Sequence, residues 1–213
     1  MPIVKNIKTV TAILGIIAWL GVISQFYTSV PAYLQKGRTL GGTLVELFSF
    51  FTIQTNILVA LCFTAAALGA SQTAFFKRRG TLTSVAVNIS IVALVFNLVL
   101  RATYHPVGLA SLSNELVHVI TPALFIIYWL AFVPKDSINW KDGFAWLWYP
   151  AFYLVYVLIR GAICGIYPYF FLDAGKYGYP KVVLNMGILL IVFLIMDLLY
   201  IFIAKLVDRY FGA

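Results

Sequence analysis

The sequence predicts an all-α fold, a polytopic membrane protein built as a bundle of six transmembrane helices with both termini in the cytoplasm. Of its 213 residues, 62% are hydrophobic and only 10% are charged, whereas soluble domains carry about 25% charged residues. The apolar residues are concentrated in six runs, each close to the roughly 20 residues that a helix needs to cross the hydrocarbon core. Little of the chain is left for a water-soluble domain.

The six runs follow one another with short connections, so neighbouring spans are expected to be antiparallel. The first run follows Lys5 and Lys8, as a signal peptide would, but its length favours a retained span. No internal repeat indicates an inverted-repeat transporter. We therefore predict one transmembrane domain over residues 1–213, with spans at about 8–28, 44–69, 81–104, 113–133, 144–167 and 181–206.

The loop charges orient this predicted bundle. Lysine and arginine are enriched in cytoplasmic loops, and the side that carries more of them is the side of the two termini. The net charge is +8, and the lysines and arginines are scattered among short loops. This pattern indicates a basic membrane-facing surface and not a nucleic-acid site. The cations on the terminal side are Lys5, Lys8, Lys77, Arg78, Arg79, Lys135, Lys141, Lys205 and Arg209, against Lys36, Arg38, Lys176 and Lys181 on the other.

Polar residues within the spans concentrate in the predicted outer half of the membrane. The inner half has comparatively few, chiefly Asn88 and Asp197. This one-sided placement predicts a polar chamber that opens towards the outer leaflet, and an ionisable residue at such a depth indicates a functional site. The outer residues, in chain order, are Gln25, Glu46, Thr52, Thr55, Asn56, Asn97, Arg101, Asn114, Glu115, His118, Arg160 and Asn185.

Span 2 carries the densest polar cluster, in the stretch FTIQTN at 51–56. Thr52 and Asn56 are four residues apart and share a helix face. A helical threonine can bond back to the carbonyl four residues earlier, whereas we expect Asn56 to bond to another helix. His118 is the only imidazole within a span, and opposite Thr52 it would complete a hydroxyl and base pair suited to ester cleavage.

Two buried cations require anionic partners, because the guanidinium groups of Arg101 and Arg160 stay protonated. Glu46, Glu115 or a substrate carboxylate could supply the negative charge. A structural ion-pair network that fixes helix register is the alternative interpretation of the same residues.

Three segments resemble a known family: FFTIQTN at 50–56, NELVHVITPALFI at 114–126 and RGAICGIYPYFFLD at 160–173. The second meets an N-x-x-x-H-x-x-x-P pattern with Asn114, His118 and Pro122. The chain is similar to the androgen-induced membrane hydrolase family, relatives of the androgen-dependent TFPI-regulating protein, and in particular to its bacterial six-span members. The resemblance implies a multi-pass protein of the bacterial cytoplasmic membrane that hydrolyses fatty acid esters of hydroxy fatty acids.

The resemblance also implies the catalytic residues, a threonine nucleophile at Thr52 and a histidine base at His118. A lipid ester would reach them sideways from the outer leaflet. Asn56, Asn97 or Asn114 are candidate oxyanion donors, and Glu115 or Glu46 could orient the imidazole. The residues expected to bind substrate or support the site are Asn56, Asn97, Arg101, Asn114, Glu115, Arg160 and Asn185.

The same residues are compatible with two other classes of function, a metal site and a non-catalytic membrane protein. Glu115 and His118 form the E-x-x-H pair of di-iron bundles, but such sites need a second pair and the chain has only two histidines. A non-catalytic lipid-binding or small-molecule transport protein is the other class, although a transport pathway should be polar along its whole depth.

We expect no cofactor and no metal. The expected partners are membrane lipids and a lipid ester substrate, with no nucleic acid.

Overall fold

Helices account for all the regular secondary structure in the computed structural model, which describes residues 7–69, 80–136 and 138–211. These residues contain no β-strand, in agreement with the predicted all-α class. The cations Lys5, Lys77, Arg78 and Arg79, which contribute to the predicted orientation, lie outside the described residues. The chain divides into two compact units, Met1–Val133 and Pro134–Ala213. A single six-helix domain stays a prediction.

The described residues of the first unit form six α-helices and two π-helical segments. The first π segment, Phe96–Leu100, continues α4, and the second π segment, Leu116–Ile120, joins α5 to α6. The helices are α1 (Ile7–Gln35), α2 (Leu40–Phe48), α3 (Phe51–Ala67), α4 (Thr81–Val95), α5 (Leu109–Glu115) and α6 (Thr121–Phe132).

Five helical stretches of the described chain are long and apolar enough to cross a membrane, and each overlaps a predicted span. A sixth span results if α2 and α3, which meet at a 73° bend, are counted as one. The fold is therefore compatible with a multi-pass membrane protein. The five stretches are Ile7–Gln35, Thr81–Leu100, Leu109–Phe132, Asp142–Cys164 and Tyr179–Tyr210.

The bend between α2 and α3 is a departure from the continuous span predicted at 44–69. Ser49 ends α2, with its hydroxyl donating to the carbonyl of Val45 at 2.6 Å, and Phe50 adopts an extended conformation. Gln54 then reaches back across the break, its Nε2 donating to the carbonyl of Phe48 at 2.9 Å. Hydrophobic length alone could not reveal this interruption, because the capping residues are uncharged and the run stays apolar.

Helix α1 packs closely against α3 and the second π segment. A Cβ added at Gly15 would lie 3.4 Å from the Cβ of Phe63 in α3. A Cβ at Gly21 would lie 3.4 Å from Leu116 and Val117 in the second π segment. Small residues allow membrane helices to approach closely, so α1 fixes α3 and the second π segment against one surface.

The core beneath them is aromatic. The Phe63 ring meets those of Phe125 and Tyr128 edge to face, with centroids 5.3 Å apart in each pair. Trp129 is 1% exposed, and its indole donates to the hydroxyl of Thr83 in α4 at 2.9 Å. This contact satisfies two polar groups that would otherwise be buried without partners.

The second unit contains α7 (Asp142–Trp146), α8 (Trp148–Cys164), a 3-10 turn at Phe170–Leu172, α9 (Ala174–Tyr177) and α10 (Tyr179–Phe211). Gly143 lets α7 approach α10 closely, since a Cβ there would lie 3.2 Å from Ile201 and 3.4 Å from the buried Asp197. Gly165 ends α8 in the left-handed conformation, with φ at 68°. The Tyr167 ring then folds back onto Gly161, where any side chain would collide with it.

Candidate active site

Thr52 and His118, the two predicted catalytic residues, lie next to each other in the first unit. Thr52 is the second residue of α3, and His118 is the central residue of the second π segment. The hydroxyl oxygen of Thr52 is 3.4 Å from Nε2 of His118. Thr52 is only 8% exposed, whereas His118 is half-buried. This separation is longer than an ideal hydrogen bond, as is common for catalytic pairs without substrate.

The other nitrogen of the imidazole determines what this pair can do. Nδ1 of His118 lies 3.0 Å from the carbonyl oxygen of Asn114, which can only accept a hydrogen bond. Nδ1 therefore carries the hydrogen, and in the neutral ring the lone pair is on Nε2. That lone pair faces the Thr52 hydroxyl and can accept its hydrogen. This is the arrangement of a nucleophile with its general base.

Phe96 holds one face of the imidazole. Its ring stacks on that of His118 with centroids 3.9 Å apart and planes inclined by 20°. Phe96 is 3% exposed and is the first residue of the first π segment, so both π segments meet at this ring. Such segments frequently mark functional sites in helices. The stacked face and the hydrogen bond at Nδ1 together restrict rotation of the imidazole.

Asn56 connects the helices that carry the pair. Its side-chain Nδ2 donates to the carbonyl of Thr52 at 2.9 Å and to that of Val117 at 3.0 Å. The prediction that Asn56 bonds to another helix is confirmed. Both amide hydrogens are engaged with backbone carbonyls, which leaves none for a substrate oxyanion. Asn56 therefore supports the site and is not the oxyanion donor that the sequence suggested.

A charged cluster also contacts Phe96. The guanidinium of Arg101 binds Glu115 through two bonds of 2.8 and 2.9 Å, and its Nε donates to Asn97 at 2.9 Å. Arg101 also lies 5.1 Å from the centroid of the Phe96 ring. Both ionic side chains are more than a third exposed, which makes the pair accessible to a ligand and weakens its contribution to stability.

Neither of the two glutamates orients the imidazole, so that expectation was wrong. Glu115 is engaged by Arg101, and Glu46 lies 3.7 Å from Nε of Arg38. The orienting acceptor is the backbone carbonyl of Asn114, one helical turn before His118. A backbone carbonyl serves here because the imidazole lies along its own helix, where the position four residues earlier faces the same side.

Asn114 remains as a candidate oxyanion donor. Its side chain is 4% exposed, and its amide makes no hydrogen bond within the described part of the chain. The N-terminal end of α3 adds a partial positive charge next to Thr52, where negative charge would develop. The Asn114 amide and the N-terminal end of α3 are therefore the two uncharged candidates for stabilising an oxyanion.

Arg160 and Asn185, the two remaining predicted site residues, belong to the second unit. Nη1 of Arg160 donates to the carbonyl of Ile166 at 2.9 Å, and Asn185 donates to the carbonyl of Phe171 at 2.7 Å. No carboxylate of the described residues lies within ion-pair distance of Arg160. Both side chains hold the segment that follows α8. Their predicted role in binding substrate stays a prediction.

The described residues contain no group of three or more His, Cys, Asp and Glu side chains arranged to hold a metal ion. Their two cysteines are free; Cys62 is buried and Cys164 is exposed.

Three contributors to the site were not predicted from the sequence: the Phe96 ring and the backbone carbonyls of Asn114 and Val117. Phe96 has no distinguishing spacing among the many apolar residues of its span. In a regular α-helix Pro122 would leave open the carbonyl of His118, four residues earlier, and only the π pattern shifts the open carbonyl to Val117. The sequence therefore indicated that a carbonyl near Pro122 lacks a donor, but not which one.

Comparison of the chain with family models, with curated proteins and with solved structures gave no match.

Proposed function

We propose that this protein is an intramembrane hydrolase of lipid esters, with Thr52 as the nucleophile and His118 as the general base. The observation that carries the proposal is the pair of contacts made by the two imidazole nitrogens of His118. Because Nδ1 donates to the Asn114 carbonyl, the lone pair on Nε2 faces the threonine hydroxyl at 3.4 Å. A hydroxyl with a base placed opposite it is the arrangement that nucleophilic catalysis needs.

The reaction proceeds in two halves. In the first, His118 takes the proton from Thr52 as the threonine oxygen attacks the ester carbonyl carbon. The resulting oxyanion collapses, the bond to the alcohol oxygen breaks, and His118 returns its proton to that leaving oxygen. In the second, His118 deprotonates a water that attacks the acyl-threonine carbonyl. As the bond to the threonine oxygen breaks, His118 returns this proton to that oxygen, which releases the acid and restores Thr52 and the neutral imidazole. General base catalysis of this kind contributes about 10²- to 10⁴-fold.

Two features would stabilise the charges that develop. The imidazolium keeps its bond to the Asn114 carbonyl, which favours the positive ring. The oxyanion would be stabilised by the Asn114 amide and by the N-terminal end of α3, whose partial positive charge lies beside Thr52.

The proposed substrate is a fatty acid ester of a hydroxy fatty acid, as the resemblance implies. Arg101 is the candidate partner for its carboxylate, because its guanidinium is accessible and lies over the Phe96 ring that also stacks on His118. The proposed setting is the bacterial cytoplasmic membrane, with six spans and both termini inside. The acyl chains would stay among the apolar side chains of the outer leaflet.

Ester hydrolysis by the purified protein in detergent tests the proposal. The substrates are a hydroxy-fatty-acid ester and a p-nitrophenyl acyl ester. We expect Thr52→Ala and His118→Ala to lose about 10²- to 10⁴-fold in kcat. Thr52→Ser should keep measurable turnover because it retains the hydroxyl. Thr55→Ala is the matched control, since Thr55 lies in the same helix and is fully buried.

Full activity in a folded Thr52→Ala protein would overturn the assignment of the nucleophile. A wild-type protein that turned over none of several lipid esters would instead indicate a lipid-binding or transport protein.

A further inference from the structure

We propose that Asn56 is the positioning residue that sets the separation of Thr52 and His118, by hydrogen-bonding a backbone carbonyl that Pro122 leaves without a helical donor. The structural half of this inference stands on the contacts of Asn56, and its catalytic half rests on the proposed function.

The open carbonyl follows from the hydrogen-bond pattern of the second π segment. The N–H of Thr121 donates to the carbonyl of Leu116, five residues earlier. Continued by one residue, the same pattern would pair position 122 with the carbonyl of Val117. Proline has no N–H, so that bond cannot form. In a membrane interior no water can take its place, and the carbonyl needs a donor from another helix.

Asn56 supplies that donor, and the same nitrogen also binds the carbonyl of Thr52. One amide group therefore connects the backbone of the nucleophile with the residue immediately before the base. Asn56 is completely buried, so no solvent competes for these bonds. From the other side, Gly21 of α1 lies against the side chain of Val117. The Val117 backbone is thus held between α1 and α3, and His118 follows it directly.

Asn88 provides a matched control within the same unit. It is 5% exposed, its Nδ2 donates to the carbonyl of Ser84 four residues earlier at 2.7 Å, and its Oδ1 is buried without a partner, like that of Asn56. The difference is the acceptor on a second helix, which Asn56 has and Asn88 lacks. A comparison of Asn56→Leu with Asn88→Leu therefore isolates the bond between the helices.

A double-mutant cycle in thermal unfolding tests the structural half. We expect Asn56→Leu to lower the Tm more than Asn88→Leu does. In a Pro122→Ala background the loss from Asn56→Leu should be smaller, because position 122 then carries an N–H for the Val117 carbonyl. Such non-additivity is the mark of residues that share one partner. Additive effects, or equal losses in the two asparagine variants, would overturn the inference.

Measurements on the variant Asn56→Ser test the positioning role separately. Asn56→Ser can still bond back to the Thr52 carbonyl but is too short to reach Val117. We expect its kcat for ester hydrolysis to fall about 100-fold with little change in KM, as a small misplacement of reacting groups does. The ¹⁵N signal of Nε2 in His118 should shift as well, whereas both readouts should be unchanged in Asn88→Ser.

Wild-type kcat and an unshifted signal in Asn56→Ser would overturn the positioning role. If the wild-type protein hydrolysed no ester, the proposed function would fail separately. The unfolding cycle and the His118 signal would then still decide whether Asn56 holds the two backbones at their separation.

Discussion

At the scale of single residues, the chemistry of the site depends on which nitrogen of one imidazole carries a hydrogen. In each of the two histidines a backbone carbonyl contacts one ring nitrogen and thereby favours a hydrogen on it, but the nitrogen is a different one in each ring. Nδ1 of His118 meets the Asn114 carbonyl, whereas in His105 it is Nε2 that lies 3.2 Å from the carbonyl of Ala102. The chain contains no third histidine, so the two rings can be compared directly.

We predict that ¹⁵N-histidine NMR at about pH 8, above the usual pKa of histidine, shows two neutral rings of different tautomer. His118 should have its hydrogen on Nδ1 and His105 on Nε2. The variant His105→Gln should remove only the second set of signals, which assigns both. A hydrogen on Nε2 of His118 would contradict the proposed mechanism, since the nitrogen facing Thr52 would then be a donor.

At the scale of helices, the functional features are interruptions of regular structure. The bend between α2 and α3 places Thr52 at a helix end, and the two π segments bring Phe96 and His118 into contact. The segment after α8 is a further interruption, held by the contact between Tyr167 and Gly161.

We predict that Gly161→Ala destabilises the protein, because the new Cβ would overlap the Tyr167 ring and the ring would have to move. Overpacking of this kind costs about 1–3 kcal/mol, which thermal unfolding of the purified protein would detect. Gly187→Ala is the control, since a Cβ at Gly187 meets no atom within 4 Å. Equal Tm values for the two variants would mean that the Tyr167 contact contributes nothing to stability.

Much of the helical architecture could be predicted from the sequence, because a long apolar run indicates a helical span independently of the helices that pack against it. The pairing of Thr52 with His118 was predictable from similar depth together with a family resemblance, and the contact of Asn97 with Arg101 from their spacing of four residues. The bend and the π segments were not predictable. Whether a helical N–H bonds four or five residues back depends on tertiary contacts, such as the one between Phe96 and His118, that no spacing reveals.

At the scale of the whole molecule, the predicted orientation can be tested with the two native cysteines. Cys164 is exposed at the end of α8, on the predicted outer side, whereas Cys62 is buried within α3. We predict that a membrane-impermeant maleimide added to intact cells labels Cys164 and not Cys62. Cys164→Ser should abolish the labelling. Labelling of Cys164 only after lysis would place the end of α8 inside and reverse the proposed topology.

The break between α2 and α3 has a consequence for how the protein would respond to its surroundings. The Gln54 amide donates to the carbonyl of Phe48 at the end of α2, so one of the carbonyls at the negative end of that helix is paired next to the site. The positive end of α3 is a sum of backbone dipoles, which neither gain nor lose protons. Thr52 thus lies in a permanent field that acidification cannot switch off.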